Sequence, residues 1–164
     1  MRAKTHTFVY ETENFIVETF SKETPHVSRE EGGHLRIVPK VRYENRWDMP
    51  PKLAIEFMRL SMIVGEALKT AMNNLGVPVV RINYMDAGNW AVKHGNQPYF
   101  HMNVYGRASN AVHQPWPEAV YLPDRSSGFM DNFVPLNDED IAEIQKQIEI
   151  ISQREEYGES NWVR

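Results

Sequence analysis

Between residues 99 and 107 apolar and polar side chains alternate without interruption. Tyr99, His101, Asn103 and Tyr105 fall on one side, and Phe100, Met102 and Val104 on the other. A period of two is the signature of an extended chain, because successive side chains of a strand point to opposite faces. The stretch therefore reads as a half-buried strand. One face lies on a core, and the other offers an imidazole, an amide and two phenols to ligand or solvent. Gly106 ends the strand and leaves Arg107 near its end. Taken by itself the pattern also fits an edge strand with a wet face.

The remaining segments arrange themselves around this strand. Residues 7–11 and 15–20 are rich in β-branched and aromatic types and read as a hairpin across Thr12-Glu13-Asn14. A polar link over 21–33 contains Pro25 and ends in Gly32-Gly33. The strand at 34–38 sends Leu35 and Ile37 one way and His34, Arg36 and Val38 the other, and Pro39 closes it. Pro50-Pro51 opens a long helix, since proline is tolerated where the first-turn donors have no partner. Its stripe is Leu53, Phe57, Leu60, Val64, Leu68, Ala71 and Leu75, and Gly76 with Pro78 stops it. Met58, Met62 and Met72 beside the stripe read as core or dimer packing.

Residues 79–85 form the next strand, in which Val80, Ile82 and Tyr84 alternate with Arg81, Asn83 and Met85. After the turn at Asp86-Ala87-Gly88, Asn89-Trp90-Ala91-Val92 is expected to start a return strand, and 93–98 is a loop. Residues 108–135, with Pro115, Pro117 and Pro123, are expected to be a mostly irregular flap. Asn137 caps a last helix whose stripe is Ile141, Ile144, Ile148 and Ile151, and whose acids suit its first turn and a solvated face. The fold class that follows is α+β: about five mostly antiparallel strands, one long helix packed on a face and a C-terminal helix, in one domain over 1–164.

Composition narrows the chemistry. A net charge of −4 lacks the basic field of a general nucleic-acid surface but leaves room for one nucleotide held by local groups. The absence of cysteine excludes disulfides, thiolate zinc sites and a cysteine nucleophile. No apolar run approaches the ~20 residues of a membrane span, and no signal-peptide pattern opens the sequence, so no membrane partner and a cytoplasmic location are expected. No Walker loop, serine triad or zinc-protease motif occurs. His34, His94 and His101 are of a type that ligates metal, but no short-spaced ligand pair supports them in that role. No metal and no cofactor are expected.

Two stretches carry a resemblance to a known family. The 99–107 strand resembles the signature of the histidine-triad (HIT) superfamily of nucleotide hydrolases and transferases, a strand of three histidines at alternate positions. His101 takes the middle position, Tyr99 the first and Asn103 the third, so the triad is degenerate. Residues 31–40, Glu-Gly-Gly-His-Leu-Arg-Ile-Val-Pro-Lys, are similar to the family's upstream Gly-His strand. The likeness spans about residues 8–107. It implies that His101 is a nucleophile toward the α-phosphorus of a purine nucleotide or dinucleoside polyphosphate, forming a nucleotidyl-histidine that water opens. An imidazole suits this role because its ordinary pKa of ~6.5 leaves much of it neutral. The far nitrogen faces substrate when a backbone carbonyl fixes the other.

The same resemblance implies substrate contacts from His34, Asn83, Asn96, Gln97, Tyr99, Asn103 and Arg107, and a homodimer formed through the long helix and a neighbouring strand. Gly95-Asn96-Gln97 resembles a Gly-Gln-Ser/Thr segment of the relatives without its hydroxyl, and Arg36 is a further potential phosphate partner. Asn103 donates through an amide but carries no proton to a leaving group. Some family branches hold glutamine there and remain transferases. Three readings stay open: an enzyme, a nucleotide-binding protein on the same fold whose chemistry is lost, and an interaction module without a small-molecule site.

Overall fold

Alternating segments become a sheet, and the two apolar stripes become the helices that cover it. The computed structural model describes residues 6–162. Strands β1 (His6–Glu11), β2 (Phe15–Phe20), β3 (His34–Pro39), β4 (Val79–Met85) and β5 (Met102–Ala108) form one antiparallel sheet in the order β1-β2-β3-β5-β4. β3 and β5 pair with Leu35 opposite Val104 and Ile37 opposite Met102, all four buried on the helix side. Helix α1 (Pro51–Asn74) lies across β4 and β5 and buries Phe57, Leu60, Val64, Leu68 and Ala71. Met72 joins this core, whereas Met58 and Met62 stay about half exposed. No helix among the described residues is long and apolar enough to cross a membrane.

The last helix, α3 (Asp138–Ser152), packs Ile141, Ile144, Ile148 and Ile151 against α1 and β1 and leaves Ile150 exposed. Asn137 and Asp140 cap it reciprocally: the Asn137 side chain accepts from the Asp140 N–H, and the Asp140 carboxylate accepts from the Asn137 N–H. Asp140 is not on a solvated face, as expected for the acids of this helix. It is fully buried because Arg29, from the link before β3, forks onto both its oxygens at 2.9–3.1 Å.

Three boundaries differ from expectation. The strand expected to start at Tyr99 starts at Met102. Continued register would set Phe100 opposite Pro39, which has no N–H to extend the ladder, and the Phe100 N–H bonds the Tyr43 carbonyl at 2.7 Å instead. β5 is also buried along its whole length, so it has no wet face. Residues expected to begin a return strand form a short helix, α2 (Asn89–Lys93), entered through Gly88 in the left-handed region at φ +67°.

Where the chain enters β3 its backbone crosses that of β5. A Cβ built on Gly106 would stand 2.1 Å from the Gly32 carbonyl oxygen, so neither position accepts a side chain at this crossing. Residues 109–137 carry only the 3-10 turn Arg125–Ser127, in line with the expected flap. They are nevertheless packed, with Gln114, Met130 and Phe133 buried.

Candidate functional site

A cavity opens where the sheet comes apart. β4 leaves β5 after the Met85–Asn103 pair, and β3 releases β5 ahead of Met102, so residues 99–101 run extended with no strand on either side. Met85 and residues 87–91 line the gap, a cavity of about 250 Å³. His101, Tyr99 and Asn103 contribute from the β5 side, Trp90 from α2, and His26 from the link before β3. A second cavity of about 340 Å³ adjoins it, sharing Ala87, Gly88, Asn89 and Tyr99, and is bordered by Arg46 and by Trp47, whose ring is 81% exposed.

His101 Nδ1 lies 3.1 Å from the Tyr99 carbonyl oxygen. A carbonyl only accepts, so Nδ1 carries the hydrogen and Nε2 keeps its lone pair. Nε2 makes no hydrogen bond among the described residues and is not enclosed. Burial lowers the pKa of His101, and the Arg36 guanidinium lowers it further. The Tyr99 carbonyl and Asp86 oppose them without reversing the direction. The ring is therefore neutral near pH 7, with an open nitrogen on a cavity wall. Arg36 itself is held by Glu18 at 2.8 Å and by the Tyr99 hydroxyl at 3.1 Å.

Behind the cavity wall runs a fixed chain of hydrogen bonds. The His26 N–H donates to His34 Nδ1 at 3.1 Å, His34 Nε2–H donates to Asn103 Oδ1 at 2.9 Å, and the Asn103 amide donates to the Met85 carbonyl at 3.2 Å. His34 is neutral as well. Burial drives its pKa well below the ordinary value, and a charged ring would put a second N–H against the His26 amide.

The sequence-derived site residues separate into two groups. His101, Tyr99 and Asn103 share the cavity. His34 does not line it: Phe20, His26 and Tyr105 cover the ring at centroid distances of 4.6–4.7 Å, and it is linked to the cavity residues Asn103 and His26 by hydrogen bonds. Arg107 is buried, spending its guanidinium on Asn83 Oδ1 at 2.7 Å and on the carbonyls of Gln114, Pro115 and Glu118. It anchors the flap and does not face a ligand, and Asn83 is taken up by it. Asn96 and Gln97 sit exposed on the loop after α2 and line neither cavity, so the likeness to a phosphate-binding segment does not bring them to His101.

Two cavity residues carried no motif. Trp90 arrives because 89–93 coils into a helix and does not extend. His26, without pattern in the sequence, is brought in by the path of the link 21–33. Its ring meets Trp90 edge-on at 5.2 Å, and Arg125 sits 5.4 Å from the Trp90 ring centre. Only its position, eight residues before a strand histidine, was visible beforehand, and that alone separates it from no other link residue.

No protein-family model matches this chain, and no curated protein sequence does. Solved structures do. A histidine triad protein from Bradyrhizobium japonicum superposes with a TM-score of 0.60 at 15% identity, over 88% of this chain and 92% of that one. A histidine triad protein from Sinorhizobium meliloti gives 0.60 at 16% identity, over 90% of each. A hypothetical histidine triad nucleotide-binding protein from Sulfolobus tokodaii gives 0.58 at 18% identity, over 96% and 92%. The sheet order and helix placement described above are thus those of a known architecture.

Proposed function

The chain has the histidine-triad fold, and from that premise we propose that it is a nucleotide-binding protein that cleaves at the α-phosphate through a nucleotidyl-histidine at His101. The observation that carries this reading is the tautomer of His101: Nδ1–H is spent on the Tyr99 carbonyl, and the Nε2 lone pair stands open at the cavity. In the first step Nε2 forms a bond to phosphorus as the bond to the leaving group breaks. In the second, water forms the new P–O bond, the P–N bond breaks, and nucleoside monophosphate and neutral imidazole are recovered.

The leaving group follows from what surrounds the nucleophile. Asn103 has no proton to give, and its amide is already tied to His34 and Met85. A leaving group that departs as a stable oxyanion is therefore favoured over an amine that must be protonated. The adjoining cavity offers the exposed Trp47 ring as a stacking face to the rest of such a molecule, and beside it the Arg46 guanidinium is paired with Asp86 at 3.0 Å. A dinucleoside polyphosphate fits these demands, with a purine against Trp90 or Tyr99. Incubation with diadenosine polyphosphate is expected to release adenosine mononucleotide, and His101→Ala to lower the rate by at least about a thousandfold while keeping the fold. Equal inactivity of wild type and variant on a broad nucleotide panel would refute the chemistry. Tight binding of nucleotides without turnover would then favour the second reading, a binding protein whose catalysis is lost, to which Tyr99 and the tethered Asn103 amide lend support.

The functional unit is proposed to be a homodimer. β4 ends the sheet with Val80 and Tyr84 exposed, and α1 exposes Ile55, Met58 and Met62. An open strand edge beside an apolar helix face suits pairing with a second copy.

A further inference from the structure

Two imidazoles face the cavity, and they are in complementary tautomers. His26 Nδ1 lies 2.8 Å from the Tyr105 hydroxyl. Tyr105 is wholly buried, and His26 is the hydrogen-bond partner of its phenol among the described residues. Burial raises the Tyr105 pKa far above the ordinary value, so the phenol keeps its proton. If Nδ1 carried the hydrogen, the phenol O–H would have no acceptor among the described residues, a loss that buried polar groups seldom bear. The O–H therefore donates to Nδ1, and the hydrogen of the His26 ring sits on Nε2. That nitrogen makes no hydrogen bond within the described protein and is not enclosed. His101 thus presents a lone pair to the cavity and His26 an N–H.

We infer that His26 is a phosphate-binding residue of this site, its Nε2–H donating to a non-bridging oxygen of the phosphoryl group held before His101. The inference rests on the nucleotide reading above. It adds a donor to the degenerate strand, where the Asn103 amide spends its oxygen on His34 and one N–H on Met85, and His34 is covered. No proton moves in this role. Burial, together with Arg125, Arg36 and His101, keeps His26 neutral, with its pKa lowered to about 3, and the leaving oxyanion departs unprotonated. Ring orientation is over-determined. Tyr105 holds Nδ1, Trp90 abuts the ring, and the His26 carbonyl accepts from the Gln114 side chain at 3.0 Å.

The test is calorimetric titration of the full chain with adenosine 5′-monophosphate, joined to long-range ¹⁵N–¹H correlation spectra of the histidines. His26→Ala is expected to weaken binding of the monophosphate about tenfold or more, and His26→Gln, which keeps an N–H donor, to recover part of that loss. In the wild type the His26 ring should show the Nε2–H pattern, and the monophosphate, but not adenosine, should shift its Nε2 resonance. A Nδ1–H pattern, or an unchanged affinity in a folded His26→Ala protein, overturns the inference. If wild type and His101→Ala are both without turnover yet His26→Ala still loses the phosphate affinity, the chemistry falls and the contact stands. A wild type that does not bind the monophosphate removes both.

Discussion

At the scale of single residues, position in an alternating pattern says which face a side chain takes but not what covers that face. His101, Asn103, Tyr105 and Arg107 share one side of the chain. The first three line the cavity, Tyr105 with its hydroxyl held by His26, and Arg107 is wrapped by the carbonyls of Gln114, Pro115 and Glu118. What covers them is set by links distant in sequence, so His34 and Arg107 were legible as candidate substrate contacts and not as buried structural groups. His26 was illegible because neither period nor spacing marks it. Gly106, by contrast, has a purely local reason with a large effect: its hydrogen is all that the Gly32 carbonyl leaves room for. Gly106→Ala is expected to cost about 3 kcal/mol of stability, read as a lowered urea midpoint with an unchanged slope. A loss under about 0.5 kcal/mol would contradict the crossing.

Elements raise a different question, namely how an irregular flap stays in place. The buried Glu31 carboxylate receives the backbone N–H groups of Val112, His113 and Gln114 at 2.7–2.9 Å and lies 3.0 Å from the His113 ring. Burial alone would raise the Glu31 pKa, but these donors overcome it and hold the carboxyl below its ordinary value. The sign follows from linkage. A carboxyl whose folded pKa is depressed stabilises above its unfolded pKa, about 4.3, and the contribution disappears as pH falls through the folded value. Glu31→Gln is expected to lose about 2 kcal/mol at neutral pH, with faster hydrogen exchange at the three amides. The gap from wild type should narrow at about pH 3, and an equal gap at both pH values would exclude this clamp. The flap's existence was readable from its prolines, but its anchor was not, because the carboxylate and its donors lie some eighty residues apart.

For the whole molecule, the free edge of the sheet is where the proposed pairing of two copies is tested. β4 is the last strand in the order, its outward residues include Val80 and Tyr84, and the neighbouring α1 surface is apolar at Met58 and Met62. Sedimentation velocity is expected to show a species of twice the 19.1 kDa chain mass, and an aspartate at Met62 to shift it toward monomer. A monomer at micromolar concentration would contradict the proposed pairing.

Periodicity by itself determined that this chain has five strands and one long and one terminal helix, because burial of an apolar stripe or alternation is a local demand that each segment states in its own residues. Only the tertiary structure decided where the sheet opens, since that depends on Pro39 arriving opposite Phe100 and on β4 parting from β5 after Met85. It also decided that His26 lines the cavity beside Tyr105 while His34 is covered behind it. Such placements are set by registers and crossings between remote segments, and no local pattern encodes them.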